Sequence, residues 1–407
     1  MKLAIKGGDP VRKRPYPEWP IWNDAERDAL NRVLESGKWG SLNGKEVNHF
    51  ENEFAKYQGA EFGIAVTSGS TALEVSLRAV GIEAFDEVLI PAYTFVATAT
   101  AVLVNVAIPV FVDIDLETYN ISTSSLEQAI TPNTRAIMPV HFAGRPANMD
   151  EVEQFARDHG LHIIEDAAQG WGAQWRGQGV GTFGDFGCFS FQSSKNISSG
   201  EGGIILTNDE ELARMAASYM NCGRVEGGIW YAHYHLGNNY RMTEFQAAVL
   251  SSQLSRYDEQ LQQRQRNMEL LDRALQHLNG VQPLTPDARI TRHAGHIYIF
   301  RYQAEAFDML SKEDFVSALQ AEGIPCSGGY SLPLYKQPLF QNQSYGPFTK
   351  LLKDKAAYQD IFLPNTEKAC KEEAVWLPQR LLLGSENDVQ DVVRAIEKIY
   401  ENRHELI

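Results

Sequence analysis

The sequence has few of the features that would direct a protein to a membrane or to nucleic acid. No run of about 18 apolar residues could cross a bilayer, and the N-terminal residues contain no long apolar segment typical of a secretory signal. Basic residues are in the minority, with 37 Lys and Arg against 52 Asp and Glu, and no basic run is longer than 12–14. Since nucleic-acid surfaces need clustered basic side chains, neither nucleic acid nor a membrane is an expected partner.

Cysteine is also scarce. The four cysteines, Cys188, Cys222, Cys326 and Cys370, are far apart, with no CxxC pair and no spacing typical of zinc ligands. We therefore predict reduced thiols, a cytoplasmic location and no metal site. No internal repeat or low-complexity tract stands out, which excludes a solenoid.

Short apolar runs alternate with helical stretches through the first half of the chain. The runs are rich in Val, Ile and Phe and are apolar throughout rather than alternating. This pattern is typical of parallel strands that helices cover on both faces, so we predict an α/β fold. The predicted strands are 62–67, 87–91, 109–114, 136–142, 162–166, 186–191 and 203–207.

The composition changes after about residue 260. A long polar helix is predicted over 244–278, followed by a strand over 296–302 and a closing amphipathic helix over 387–400. We interpret the chain as a large domain over 1–260, which includes an N-terminal arm, and a smaller C-terminal α/β domain over 261–407.

The first candidate motif, at 67–73, has the sequence TSGSTAL and joins a predicted strand to a predicted helix. Free N–H groups and the positive end of the helix dipole form an anion site there. The hydroxyls of Ser70 and Thr71 beside Gly69 suit a phosphate monoester. The alternative is an ordinary Ser/Thr helix cap. No Walker lysine is present, so a nucleoside triphosphate is a poor fit.

The second motif is an acidic pair, Glu165 and Asp166, that closes an apolar strand. Parallel sheets bind ligands at the carboxyl ends of their strands, and a carboxylate there can keep a ring nitrogen protonated. The alternative is an Asp that simply starts a helix.

The third motif places Lys195 directly after the strand 186–191, among small polar residues and glycines. A partly desolvated lysine with a lowered pKa can form a covalent bond to a carbonyl group. The alternative is a solvated surface lysine. A phosphate cradle, a strand-end Asp and a strand-end Lys together meet the requirements of pyridoxal phosphate, and they occur in one strand-rich region.

A formal GxGxxG match at 179–184 indicates a different cofactor, a dinucleotide. That fingerprint needs a strand before it and a helix after it. Here a polar, Gly-rich turn precedes the match and the predicted strand 186–191 follows it. We therefore do not expect a dinucleotide site.

Taken together, the motifs resemble those of the DegT/StrS-type sugar aminotransferases, and the resemblance spans nearly the whole chain. It implies the aspartate-aminotransferase (type I) fold, in which a large domain with a seven-stranded, mostly parallel sheet precedes a smaller C-terminal α/β domain. It also implies pyridoxal phosphate as the cofactor. The matching segments are 67–73, 91–95, 139–141, 165–169, 181–185, 190–203 and 239–246.

The resemblance implies a role for individual residues in cofactor binding. Lys195 would join the cofactor covalently and move the proton, and Asp166 would pair with its ring nitrogen. Gln169 would lie by the phenolic oxygen, and Phe95 would stack on the ring, where relatives often have Trp. The phosphate would be held by Gly69, Ser70, Thr71 and Ser190.

The resemblance also implies a homodimer with shared active sites. Asn239 would reach the cofactor of the neighbouring subunit, although Asn238 is adjacent and relatives differ in spacing. The substrate-wall candidates are Trp39, His141 and Tyr335. The alternative for each is a purely structural role, as a packed side chain or, for Tyr335, as part of a Pro-kinked loop.

The family splits at the lysine position, because relatives with His there act as sugar dehydratases. The lysine in this chain favours transamination, from glutamine or glutamate to a keto-cyclitol or keto-sugar, as in amino-sugar and antibiotic biosynthesis. The N-terminal pattern at 16–22 and 37–39 resembles the branch of the glutamine:scyllo-inosose aminotransferases and aminohydroxybenzoate synthases. The alternatives are a nucleotide-linked keto-sugar acceptor, a synthase-like dehydration and, in another class, a non-catalytic regulatory protein.

Overall fold

The computed structural model describes residues 2–353, 355 and 357–406. Its strands form one seven-stranded and two three-stranded sheets. The strands are β1 (Phe62–Val66), β2 (Glu87–Pro91), β3 (Ile108–Val112), β4 (Thr134–Ile137), β5 (His162–Asp166), β6 (Gln174–Trp175), β7 (Gln178–Gly179), β8 (Phe186–Ser190), β9 (Gly203–Thr207), β10 (Val281–Pro283), β11 (Ile290–Arg292), β12 (Ile297–Tyr302) and β13 (Ala374–Pro378).

The large sheet has the strand order β1-β9-β8-β5-β4-β2-β3. The five strands from β8 to β3 are parallel, and only β9 runs antiparallel to its neighbours β1 and β8. Each of the predicted apolar runs contributes a strand, which confirms the seven-stranded, mostly parallel sheet. The run predicted over 136–142 leaves the sheet early, because β4 ends at Ile137.

Helices cover both faces of the seven-stranded sheet, and helices also pack on the three-stranded sheet β10-β12-β13. Side chains cap several of the helices; Asn23 and Glu26, for example, form a capping box. The helices are α1 (Asp24–Ser36), α2 (Glu46–Gln58), α3 (Gly69–Ala79), α4 (Val96–Val104), α5 (Leu126–Ala129), α6 (Met149–His159), α7 (Glu210–Met220), α8 (Glu244–Leu254), α9 (Tyr257–Leu275), α10 (Lys312–Ala321), α11 (Pro338–Gln341), α12 (Thr349–Leu352), α13 (Pro364–Lys368) and α14 (Glu386–Glu401).

The single long helix predicted over 244–278 is wrong, because two helices, α8 and α9, occupy that stretch. The break falls at Arg256, whose φ of −116° lies outside the helical range. Its guanidinium donates to the carbonyl oxygen of Ile21 and to the Glu26 carboxylate. These tertiary contacts favour a turn at a point where the amphipathic pattern alone predicts continuity.

The C-terminal part of the chain builds a second core around the sheet β10-β12-β13, which α10 and α14 cover. The N-terminal residues pack on this core: Leu3 and Tyr16 are buried in it, and Arg12 pairs with Asp388 and Asp391 at 2.5 and 2.8 Å. The division of the chain at residue 260 stays a prediction, and that residue lies inside α9.

The fold places the candidate site at the carboxyl edge of the large sheet. The strands β2, β5 and β8 are buried at this edge, and the helices α3 and α4 begin beside it. Within the described ranges, every helix is too short or too polar to cross a bilayer.

Candidate active site

Lys195 lies in a turn that follows β8, where its N–H donates to the carbonyl oxygen of Gln192. Its ammonium nitrogen is 5.8 Å from the centroid of the Trp171 ring. Burial lowers the pKa of Lys195 to about 8, and the nearby Asp166 carboxylate partly opposes that shift. A substantial fraction of this amine is therefore neutral near physiological pH, as a nucleophile requires.

Asp166 ends β5, and its side chain is buried. One carboxylate oxygen accepts a hydrogen bond from the Thr98 hydroxyl of α4 at 2.7 Å, and the other accepts the N–H of Ala168 at 3.2 Å. Burial raises the pKa of Asp166, whereas these two hydrogen bonds and Lys195 act to lower it. The group is a fixed, poorly solvated carboxyl that gains by pairing with a cation. Thr98 is a site residue that the sequence motifs did not indicate.

The structure explains the GxGxxG match through the other member of the acidic pair. Glu165 is fully buried, and it accepts the N–H groups of Gly181 (2.6 Å), Phe183 (2.7 Å) and Gly184 (3.0 Å). The backbone N–H groups of this loop therefore bind an anion, and that anion is the Glu165 carboxylate of the protein itself. Because Glu165 and Asp166 are consecutive, these hydrogen bonds fix the end of β5 that carries Asp166.

His141 belongs to the same buried group. Its Nδ1 accepts the N–H of Ala147 at 3.1 Å, so its Nε2 carries the hydrogen that bonds Glu165 at 2.8 Å. Both ring nitrogens are occupied and the side chain is fully buried. This geometry favours the packing alternative over a role in the substrate wall.

We expect Glu165→Gln to destabilise the fold. The introduced amide would direct its own N–H groups at the backbone N–H donors that the carboxylate now satisfies. The unfolding free energy should fall by about 3 kcal/mol, since unsatisfied buried donors cost about 1–3 kcal/mol each. Urea unfolding measures the change, with Glu35→Gln on the exposed face of α1 as the matched control. Equal stability of the two variants would contradict the anchoring role.

The predicted phosphate cradle lies at the first turn of α3. Ser68 caps this helix by accepting the N–H of Thr71 at 3.2 Å. The helix cap that was the alternative to a phosphate site is therefore present. The N–H groups of Gly69 and Ser70 have no protein acceptor in the described part of the chain. A Cβ on Gly69 would lie 2.7 Å from the Cβ of Ser190 at the end of β8. Glycine is therefore required for this approach, which brings the predicted phosphate ligands together.

Phe95 and Gln169 complete the group. Phe95 is the N-cap of α4, one turn before Thr98, and its ring is 58% exposed. The Gln169 side-chain oxygen accepts the N–H of Ala143 at 2.6 Å. This bond leaves the amide nitrogen of Gln169 without a hydrogen-bond partner among residues that the structure describes.

The remaining substrate-wall candidates, Trp39 and Tyr335, make contacts with other residues. Trp39 is half exposed and packs on Phe245, with 5.8 Å between ring centroids. Tyr335 is fully buried, and its hydroxyl donates to the Glu367 carboxylate at 2.8 Å, which favours the structural alternative. Tyr330, which precedes Tyr335 in the chain, is the residue that interacts with the site, because burial and then Asp166 raise the pKa of its hydroxyl.

Asn239 is exposed, whereas the adjacent Asn238 donates to the Tyr240 hydroxyl at 2.9 Å. No hydrogen bond links Asn239 to Lys195 or Asp166 across the described residues. It follows a strongly exposed apolar segment that includes Trp230 (84% exposed) and Leu236 (88% exposed). Of these two exposed asparagines, only Asn238 makes a side-chain hydrogen bond within the described part of the chain.

Comparison with known proteins relates this geometry to a family. The chain is 38% identical over 408 residues to the putative L-glutamine:3-amino-2,3-dideoxy-scyllo-inosose aminotransferase of Streptoalloteichus tenebrarius, with 98% of each chain covered. The crystal structure of 3-amino-5-hydroxybenzoic acid synthase superposes with a TM-score of 0.85 at 34% identity, covering 95% of this chain and 99% of that chain.

A further solved structure, from Bacillus subtilis with the cofactor PMP bound, has a TM-score of 0.80 at 26% identity and covers 96% of this chain and 86% of that one. These similarities confirm the predicted type I aminotransferase fold. The sequence pattern of one family matches residues 20–397. The chain belongs to the DegT/DnrJ/EryC1/StrS aminotransferase family.

Proposed function

We propose that this aminotransferase uses pyridoxal phosphate to transfer an amino group from L-glutamine or L-glutamate to the ketone of a polyhydroxylated ring, a scyllo-inosose-like keto-cyclitol. One observation carries the proposal: Lys195 has a lowered pKa, so its amine can lose its proton near neutral pH, and it interacts electrostatically with the buried Asp166 carboxylate. The acceptor class rests on the name of the relative that is 38% identical over 98% of this chain.

The residues fit the proposed cofactor in four respects. The first turn of α3 offers unpaired N–H groups and the exposed Ser70 hydroxyl to a phosphate. Asp166 offers a carboxyl to a ring nitrogen, and Phe95 offers an exposed aromatic face. Lys195 offers an amine whose pKa is lowered to about 8. When bound, pyridoxal phosphate supplies an electron sink that acidifies the Cα–H of an amino donor.

Each of these side chains then has a distinct task. Asp166, held by Thr98 and Ala168, keeps a proton on the ring nitrogen. With the cofactor bound, the Lys195 amine would remove the donor's Cα proton as a general base, and the ammonium group so formed would give that proton, as a general acid, to the cofactor carbon that receives the amino group. Phe95 excludes water from one ring face. The same residues act in reverse when the ketone is aminated.

We also propose that the active enzyme is a cytoplasmic homodimer whose subunits share their active sites. The exposed apolar side chains between 225 and 236 support this assembly, because they are poorly suited to permanent contact with water, and the exposed Asn239 follows them in the chain. Asn239 would hydrogen-bond the phosphate held by the partner subunit.

A synthase reaction on an aminated ring is the second candidate. It is favoured by the superposition with 3-amino-5-hydroxybenzoic acid synthase, at 34% identity and a TM-score of 0.85. A nucleotide-linked keto-sugar is the alternative acceptor for transamination itself.

One experiment tests the proposal and separates these candidates. The enzyme is loaded with the amine form of the cofactor and incubated with scyllo-inosose, 2-deoxy-scyllo-inosose, nucleotide-linked keto-sugars and aminodehydroshikimate. We expect a keto-cyclitol to restore the aldehyde spectrum and to yield an amino-cyclitol by mass spectrometry. Restoration by keto-sugars alone, or an aromatic product from aminodehydroshikimate, would contradict the proposed acceptor.

A further inference from the structure

A cavity of about 680 Å³ lies between the N-terminal arm, the turn that follows β8 and the C-terminal core. Its wall reaches the catalytic region through Ser194, the residue before Lys195, and through His296. The Nδ1 of His296 is 3.0 Å from the Asn196 side-chain oxygen, and Asn196 follows Lys195 directly. The cavity is therefore connected to both chain neighbours of the catalytic lysine.

The charge of this cavity is opposite to that of the protein as a whole. The chain has a net charge of −15, yet no Asp or Glu is among the described residues that line the cavity. Two arginines, Arg14 and Arg380, do line it. Arg14 is paired with Asp388 at 3.1 Å. The Arg380 guanidinium makes no ion pair with a described carboxylate, and it donates to the Pro17 carbonyl oxygen at 3.3 Å. The cavity thus offers an uncompensated guanidinium.

A second uncompensated guanidinium lies directly behind the wall. Arg264 is fully buried, and burial lowers its pKa to about 10, so it stays charged at neutral pH. Its Nε and Nη2 donate to the side-chain oxygen of Gln379 at 3.2 and 2.7 Å, and its Nη1 has no partner in the described chain. A buried cation without a carboxylate is costly, and besides Gln379 Arg264 faces the rings of Trp19 and Tyr257, at 5.5 and 5.9 Å.

This contact fixes the orientation of the Gln379 amide. A guanidinium has only donors, so the oxygen of Gln379 must face Arg264. The amide nitrogen is left as the group that can meet a ligand, because Gln379 lines the cavity. Arg264 therefore converts Gln379 into an oriented hydrogen-bond donor beside Arg380.

We propose that this cavity binds the carboxylate of the amino donor, with Arg380 as its ionic partner and the Gln379 amide nitrogen as a second donor. Arg264 is a positioning residue that acts through Gln379. The inference rests on the proposed function and identifies the residues that would select an amino acid as the first substrate. A guanidinium and an adjacent N–H donor match the two oxygens of a carboxylate.

The test measures binding without chemistry. Glutarate, which has the carboxylates of glutamate but no amine, is titrated calorimetrically into the cofactor-loaded enzyme. We expect saturable binding that weakens at least tenfold in Arg380→Gln and is unchanged in the control Arg273→Gln, whose side chain is exposed on α9. Pentanediamide, the uncharged analogue, should not bind in the same concentration range. Equal affinities of both variants for glutarate would overturn the proposal.

A second variant separates binding from packing. Gln379→Glu gives the buried Arg264 a counter-ion, so the melting temperature should rise, yet the new negative charge should weaken glutarate binding at least tenfold. A merely structural pair would raise the melting temperature and leave glutarate binding unchanged, and that result would overturn the proposal.

The donor half-reaction distinguishes this inference from the proposed function. If the wild-type enzyme fails to react with L-glutamine or L-glutamate, the proposed function itself fails. If the wild-type enzyme reacts and Arg380→Gln is half-saturated at the same donor concentration as Arg273→Gln, only the carboxylate assignment fails. We expect Arg380→Gln to need at least tenfold more donor and to keep most of its rate at saturation.

Discussion

Replacing Lys195 by alanine should reduce both half-reactions by at least about 1,000-fold, because the variant loses the general acid–base group that moves the Cα proton. The same change removes the amine that would hold the cofactor covalently. The fold should persist, since the methyl group of alanine fits where the lysine side chain begins. Stopped-flow spectroscopy with L-glutamine measures the rate, and circular dichroism verifies the fold.

Two comparisons make the Lys195 result specific. Lys56→Ala, at an exposed position near the end of α2, should keep the wild-type rate. Added methylamine should restore part of the activity of Lys195→Ala, because a small amine can take the vacated place and move the proton. Wild-type turnover in Lys195→Ala would remove this residue from the reaction.

The second large effect is expected from Asp166→Asn, which should slow the half-reaction with L-glutamine by about 100-fold or more. The amide is nearly isosteric and can still accept the Thr98 hydrogen bond that now measures 2.7 Å. It carries no negative charge, so it does not hold a proton on a ring nitrogen, and the donor's Cα–H becomes less acidic.

Several comparisons distinguish loss of charge from damage to the structure at Asp166. Asp28→Asn, exposed on α1, is the matched control and should be indistinguishable from wild type. Thr98→Val removes one hydrogen bond and keeps the carboxylate, so its loss of rate should be smaller than that of Asp166→Asn. Similar rates for wild type and Asp166→Asn would show that the carboxylate charge is not needed.

The fold was predictable from the sequence because its signals are local. A fully buried parallel strand needs a continuous apolar run, and strands such as Glu87–Pro91 show that run plainly. Parallel strands place their carboxyl ends at one edge, so the neighbouring parallel strands β5 and β8 bring the motifs that contain Asp166 and Lys195 to the same edge. The break between α8 and α9 was not predictable, because contacts of Arg256 with residues more than 200 positions away produce it.

The parts of the site that the sequence did not reveal depend on long-range contacts. Glu165 was visible only as half of an acidic pair, and its three backbone donors come from a loop that resembled a different motif. Arg264 and Gln379 are 115 positions apart. His141 and Tyr335 stood in segments that resemble the family, yet a segment match does not say which side chain faces the substrate. For this reason the sequence indicated Tyr335, whereas the structure shows that Tyr330 is the tyrosine that interacts with Asp166.

The central claim is that the Lys195 nitrogen is the point at which the cofactor joins the chain. Borohydride reduction of the cofactor-loaded enzyme, followed by proteolysis and peptide mass spectrometry, tests it most directly. We expect the cofactor's mass on the peptide containing Lys195, and we expect its loss from that peptide when L-glutamine is added before reduction. Attachment to another lysine, or no attachment at all, would contradict it.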